Sequence, residues 1–227
     1  MKIAALLLLC ASIAHCAQLQ GIDVSSYQPN VNWPGVKSRG IQFVYIKATE
    51  GTSYKSPAFN SQYTGATQVG LIRGAYHFAR PDVSSGAAQA NFFLSNGGGW
   101  SGDGRTLPGA VDLEYNPYGS NKCYGLSLGA MINWIHDFSD TYKSRTGRPP
   151  VIYTSTSWWT LCTGNFAGFG RENPLWIARY GSAVGALPAG WGSHTFWQNS
   201  DNAAPNPGDA DLFNGDTAGL QRFARGG

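Results

Sequence analysis

The chain is 227 residues long and carries a formal charge of only +3, with 13% charged and 42% hydrophobic residues. So weak a positive balance argues against a nucleic-acid-binding domain, and the length suits a single barrel or sandwich domain with a substantial core. Eight Trp within an aromatic content of 13% fit either a large aromatic core or a carbohydrate-binding surface.

The first element is MKIAALLLLCASIAHCAQ, one Lys ahead of an apolar run (3–13) and then small residues. This is the pattern of a secretory signal peptide. Ala14 and Cys16 suit the positions before a cleavage site near Cys16 or Ala17, so residues 1–17 are expected to leave and 18–227 to form the mature domain. The run falls short of the roughly 20 residues of a membrane span, and no later stretch could cross a bilayer. The expected product is soluble, secreted and extracellular, with no membrane partner. Cys10 and Cys16 depart with the signal. In an oxidising compartment Cys123 and Cys162 are expected to pair, closing a loop that contributes about 3–4 kcal/mol. Two thiols without a His pair at ligand spacing predict no metal site.

Eight candidate strands follow in order: QGIDVSSY (20–27), FVYIKATE (43–50), LIRGAYHFA (71–79), GAVDLEY (109–115), PPVIYTS (149–155), PLWIARY (174–180), HTFWQNS (194–200) and a short DLFNG (211–215). Each is rich in β-branched or aromatic residues and bounded by Gly, Pro or Asn. Helices are predicted over 57–70, over 84–96 with a Ser84 or Ser85 cap, and over 127–147 with a Ser127 cap and a Gly147 stop. Residues 157–164 suit one or two turns. Strands alternating with helices predict a parallel sheet with crossover helices, and eight strands predict a barrel, although helices look sparse towards the C-terminus. The loops at 96–104 and 202–209 are too short to be domain linkers.

Within GAVDLEY, Asp112 and Glu114 are two apart on a strand, so both carboxylates point to one face. Two acids on a half-buried face are costly unless something uses them. Asp23, Glu50 and Asp211 also lie at strand positions, and the C-terminal ends of barrel strands gather on one face. Paired carboxylates of this kind serve glycoside hydrolysis, one as proton donor and the other as nucleophile, base or electrostatic stabiliser. The bland readings are that D-x-E caps a helix or pairs with Arg, that Asp23 binds loop amides, that Glu50 caps a turn and that His77 satisfies a backbone partner. Tyr45, Tyr76, Trp176, Tyr180 and Trp197 lie on strands as core residues or as rings to stack on a sugar. Lys47 and Arg73 are expected to pair with acids. There is no G-x-S-x-G elbow, Walker loop or H-E-x-x-H motif.

Taken in order, GIDVSSYQ, FVYIKATEG, GLIRGAYHFARP, AVDLEY, PLWIARY, and finally WQ with a late ADLFNG resemble glycoside hydrolase family 25, the Chalaropsis-type lysozymes or N,O-diacetylmuramidases. The resemblance spans essentially the whole mature chain. It implies a modified TIM-like (β/α) barrel with eight strands and fewer than eight helices. It also implies a cofactor-free, retaining muramidase that cleaves the β-1,4 bond between N-acetylmuramic acid and N-acetylglucosamine in peptidoglycan glycan strands, acting as a monomer. By motif, Glu114 resembles the general acid/base and Asp112 its partner, acting either directly or through the substrate acetamido group. Asp23 and Asp211 resemble the other pocket acids, and Glu50 carries a weaker implied role. The family's late motif often reads V-D-L-N-x-F; here it is shortened, which leaves Asp209 as the alternative to Asp211. The rival readings are an acetamido-assisted glycosidase acting on chitin, disfavoured by Ala110 where a further Asp would stand, and a catalytically inactive glycan-binding barrel, disfavoured by an intact D-x-E.

Overall fold

The computed structural model describes residues 18–227; the predicted signal segment, 1–17, lies outside the described residues. In chain order the elements are β1 (Leu19–Val24), α1 (Trp33–Ser38), β2 (Phe43–Glu50), β3 (Tyr54–Lys55), α2 (Phe59–Gln68), β4 (Ile72–Phe78), α3 (Gly86–Leu94), β5 (Ala110–Leu113), α4 (Leu128–Thr146), β6 (Val151–Thr154), α5 (Thr156–Thr163), β7 (Leu175–Ala178), β8 (Phe196–Ser200), β9 (Asp209–Phe213) and α6 (Thr217–Arg225). Eight strands close into a barrel in the order β1-β2-β4-β5-β6-β7-β8-β9, with β9 returning to β1; β3 is a short hairpin arm on β2.

The expected eight-stranded barrel with fewer than eight helices is therefore present, with one correction to the sheet. All neighbours from β1 round to β8 run parallel, but β9 is antiparallel to both β8 and β1. The cause lies in the connection. A parallel return needs a crossover of a dozen or more residues, whereas only the loop 201–208 separates β8 from β9. Two helices beyond those expected also form. α1 is capped by Asn32, and α6 is capped by Asp216, whose Oδ1 accepts from Gly219 N at 2.7 Å, and is stopped by left-handed Gly226.

Strand alternation sorts the side chains into two cores. Outward residues such as Ile22, Val44, Ile46, Val111, Leu113 and Ile152 pack beneath the helices, including Met131, Ile135 and Phe138 of α4. Inward residues build an aromatic column along the barrel axis. At its base Phe43, Phe196 and Phe213 meet Leu220 and Phe223 of α6, which plugs the N-terminal ends of the parallel strands. Above them Tyr45 stacks on Trp176 with ring centroids 4.7 Å apart, and Tyr153 meets Trp176 edge-on at 4.8 Å. Such pairs contribute about 1 kcal/mol each beyond area burial. Gly74 makes room for this layer, because a Cβ there would stand 2.5 Å from the Tyr45 ring.

The entry to β5 is pinned from both sides. Tyr142 of α4 accepts from Gly109 N at 2.7 Å and donates to Gly98 O at 2.8 Å, while Tyr45 donates to Pro108 O at 2.9 Å. These bonds, with parallel pairing to β4 and β6, fix the strand that carries the D-x-E pair.

Candidate active site

At the C-terminal end of the barrel a cleft of about 410 Å³ opens above the aromatic column. Trp176, Tyr76 and Tyr153 form part of its lining, and Asp23 of β1, Asp112 of β5, Glu114 just past the end of β5 and Asp209 of β9 bring their carboxyls into it. Asp112 and Glu114 share the inward face because Val111 and Leu113 between and before them face the helices. Phe78, Lys47, Glu50 and Gln198 complete much of the wall.

Gln198 organises the acids. Its Nε2 donates to Asp23 Oδ2 at 2.7 Å and to Asp209 Oδ2 at 3.1 Å, and its Oε1 accepts from Tyr153 OH at 2.8 Å and Tyr180 OH at 3.3 Å. Two hydroxyl donors on one end and two carboxylates on the other fix the orientation of the amide. Asp23 and Asp209 are register partners across β1 and β9. Gly208 permits that approach: its φ is +75°, and a Cβ there would lie 1.9 Å from Asp23 O.

Asp211 also faces inward, but one layer lower. It is 1% exposed and accepts from Trp176 Nε1 at 2.8 Å through Oδ1, while its buried Oδ2 has no hydrogen-bond partner among the described residues. Asp209, not Asp211, lines the cleft. The difference arises because β9 begins two residues earlier than the sequence pattern predicts, bringing Asp209 onto the same face as Asp211 and Phe213.

The pocket raises the proton affinity of its acids. Burial, followed by the charge of Asp209, lifts the pKa of Asp23 to about 7, against the opposing hydrogen bond from Gln198. Burial and then Glu114 hold Asp112 well above the ordinary carboxylate range, and Asp112 Oδ1 has no partner among the described residues. Burial raises Glu114 as well, with the Lys47 ammonium working against it. Burial and then the charge of Asp23 hold the Asp211 carboxyl well above the ordinary carboxylate range. Repulsion between Asp112 and Glu114 makes the last proton of that pair hard to remove, which is the condition for a carboxylic acid to serve as proton donor near neutral pH.

The remaining sequence candidates separate clearly. Tyr76 and Trp176 line the cleft. Tyr180 stands at its edge, 54% exposed, reaching Gln198. Tyr45 is fully buried a layer below, and Trp197 points out of the barrel, donating to Arg179 O at 2.6 Å. Neither reaches the cleft: Tyr45 is too deep, and Trp197 alternates with inward Phe196 and Gln198. Glu50 is bound at the wall by Lys47 at 2.8 Å and by the Tyr118 hydroxyl, with Arg80 at 3.9 Å. Arg73 faces Asp103 at 3.9 Å. His77 is buried on the outer face between Thr49 Oγ1, 2.7 Å away, and Gln89 Oε1, 2.9 Å away, and desolvation lowers its pKa to about 4. Cys123 and Cys162 form a disulfide that ties the loop after β5 to α5.

Pattern reading gave no role to Gln198, quoted only within the WQ motif, or to Tyr153, Tyr27 and Tyr118. Among the described residues, no group of three or more His, Cys, Asp or Glu could hold a metal ion, and no helix is long and apolar enough to cross a membrane.

Comparison with known proteins agrees with this geometry. The N,O-diacetylmuramidase of Arthroderma benhamiae is 57% identical over 209 residues, covering 92% of this chain and 88% of that protein. The N,O-diacetylmuramidase of a Chalaropsis species is 54% identical over 213 residues, covering 92% of this chain and all of that one. The solved structure of a muramidase from Acremonium alcalophilum superposes with a TM-score of 0.90 at 59% identity, covering 92% of this chain and 100% of the other. The family model for glycosyl hydrolases family 25 matches residues 22–206, and the chain belongs to that family of glycoside hydrolases.

Proposed function

We propose that the protein is a lysozyme, a β-1,4-N-acetylmuramidase that hydrolyses the bond between N-acetylmuramic acid and N-acetylglucosamine in bacterial peptidoglycan. The observation that carries this reading is the inward D-x-E pair at the mouth of an acid-lined barrel cleft, in a chain more than half identical to named muramidases. Neither chitin hydrolysis nor inactive glycan binding has a comparable observation in its favour.

Glu114 is the general acid. It is the more accessible of the pair, with Asp112 8% exposed beneath it, so it can reach a glycosidic oxygen and protonate it. Asp112 stabilises the positive charge that develops at the sugar ring, by direct attack or by holding the 2-acetamido group for attack; either route retains the anomeric configuration. Asp23 and Asp209, bridged by Gln198, set the field around Glu114 and hold water or substrate hydroxyls. Asp211 supports Asp23 from below. Trp176, Tyr76 and Tyr153 offer apolar ring surface to a sugar. No cofactor enters this scheme.

The protein works as a monomer and outside the cell, with residues 1–17 as its export signal; Lys2 followed by an apolar run supports the export. Mass spectrometry of a borohydride-reduced digest of purified peptidoglycan tests the assignment. New reducing ends on N-acetylmuramic acid support it. Reducing ends on N-acetylglucosamine, or release of sugars from chitin but not from peptidoglycan, overturn it.

A further inference from the structure

The mouth of the cleft holds an aromatic side chain for which the chemistry above has no use. Tyr118, on the loop between β5 and α4, is 60% exposed and lines the cleft. Tyr27, at the same mouth, is 91% exposed and close to free. Tyr118, by contrast, is held on two sides. The Arg80 guanidinium lies 4.1 Å from its ring centroid, and its hydroxyl donates to Glu50 Oε1.

Each of those supports is itself fixed. Arg80 makes a two-pronged pair with Asp82, Nε to Oδ1 at 2.9 Å and Nη2 to Oδ2 at 2.8 Å. Glu50 is bound by Lys47 Nζ at 2.8 Å. The loop is also braced: Tyr118 N donates to Asn116 Oδ1 at 2.9 Å, Asn116 N donates to Lys122 O at 3.2 Å, and the Cys123–Cys162 disulfide closes the loop's far end.

A surface tyrosine ordinarily keeps its rotamer freedom, and ordering it costs free energy. Here Arg80 and Glu50, themselves held by Asp82 and Lys47, and a crosslinked loop order it in advance. With the guanidinium on one face and the hydroxyl tethered, the exposed area is the opposite ring face and its edge. A ring presented this way binds the apolar face of a sugar without a further ordering cost. We propose that Tyr118 is a sugar-stacking platform forming an outer subsite for the glycan strand, with Glu50 and Arg80 as the residues that position it. The identity of the ligand rests on the muramidase reading. Glu50 thereby acquires a role that requires no contact with the scissile bond.

The test uses peptide-free glycan strands of graded length with the parent protein and Tyr118→Ala, Tyr118→Phe and Tyr118→Trp. Loss of the ring raises KM on long strands about tenfold while kcat stays within about twofold, and the penalty vanishes on the shortest fragment that is cleaved. Phe keeps the ring but loses the Glu50 tether, giving an intermediate rise in KM. Trp also lacks the tether but offers a larger ring face, so its KM falls between those of the parent and Ala. An Ala variant with parental KM at every length, a fall in kcat at constant KM, or a Trp variant no better than Ala overturns the proposal. If the parent does not cleave the strands, the muramidase reading fails. Calorimetric binding of the same strands to parent and Tyr118→Ala then still decides the platform: equal affinities, or no binding to either, reject it.

Discussion

Gln198 Nε2 lies 2.7 Å from Asp23 Oδ2, joining residues 175 positions apart in the chain. The same nitrogen reaches Asp209, and the carbonyl end of the amide takes the Tyr153 hydroxyl. One neutral side chain thus separates two carboxyls that would otherwise repel each other directly, and its bond lowers the pKa of Asp23 against burial.

Gln198→Leu should remove that bridge while keeping most of the volume. A hydrogen bond to a charged group contributes about 1.5–3 kcal/mol, so kcat/KM should fall by roughly 10- to 100-fold. Asp23 should also become harder to ionise, moving the acid limb of the kcat/KM profile to higher pH. A pH–rate series checks both, and an unchanged acid limb counts against the bridging role.

Asp211 makes a different prediction, because burial and the neighbouring Asp23 both disfavour its charged form. Trp176 Nε1 donates to one oxygen at 2.8 Å, and the other oxygen is buried without a hydrogen-bond partner among the described residues, with the Asp23 charge opposing its ionisation. Asp211→Asn keeps an oxygen to accept from Trp176 and places a neutral amide where burial and Asp23 disfavour a charge. Activity and urea stability should stay near the parent values. Asp211→Ala leaves the indole N–H without its acceptor and should cost about 1–3 kcal/mol. Should Asn prove as damaging as Ala, Asp211 acts as a charge.

The fold and half of the site were legible for simple reasons. Strand alternation places Asp112 and Glu114 together whatever surrounds them. β-Branched and aromatic runs marked the eight barrel strands. The start of β9 was not legible, because NPGD reads as loop: the pairing of Asp209 with Asp23 across β1 begins the strand there, and it decides for Asp209, which the motif left only as an alternative. Gln198 was hidden because a glutamine gains its meaning from neighbours on β1, β6 and β9 that sequence spacing does not bring together. The antiparallel turn of β9 followed from loop length, which was visible at 202–209 and not used. α6 carried its own signals, Asp216 and Gly226 around an apolar stripe. Trp197 and Tyr45 show the limit of counting aromatics: a one-residue shift in face or one layer of depth separates a core ring from a binding surface.

The pH dependence of stability gives a third test. A carboxyl whose pKa in the fold lies above its unfolded value binds its proton more tightly when folded, so its contribution to stability falls as pH rises above that unfolded value. Asp112 is such a group, held well above 3.8 by burial and by Glu114. Asp112→Asn should therefore melt close to the parent at pH 4 and above it at pH 7, the gap widening as pH rises between the two. Calorimetry at four or five pH values measures this. A gap independent of pH, or a variant less stable at pH 7, refutes the assigned cost of that carboxylate.

The assignment of Glu114 as proton donor is tested most directly by the turnover of Glu114→Gln on purified peptidoglycan, read as release of reducing ends and checked by wall turbidity. Glutamine keeps the shape and removes the transferable proton, and general acid catalysis contributes roughly 10²–10⁴-fold. The account predicts a fall in kcat of that size, with wall binding retained and the melting temperature at pH 7 no lower than the parent's. Activity within a few-fold of the parent would contradict it and move the proton donor away from Glu114.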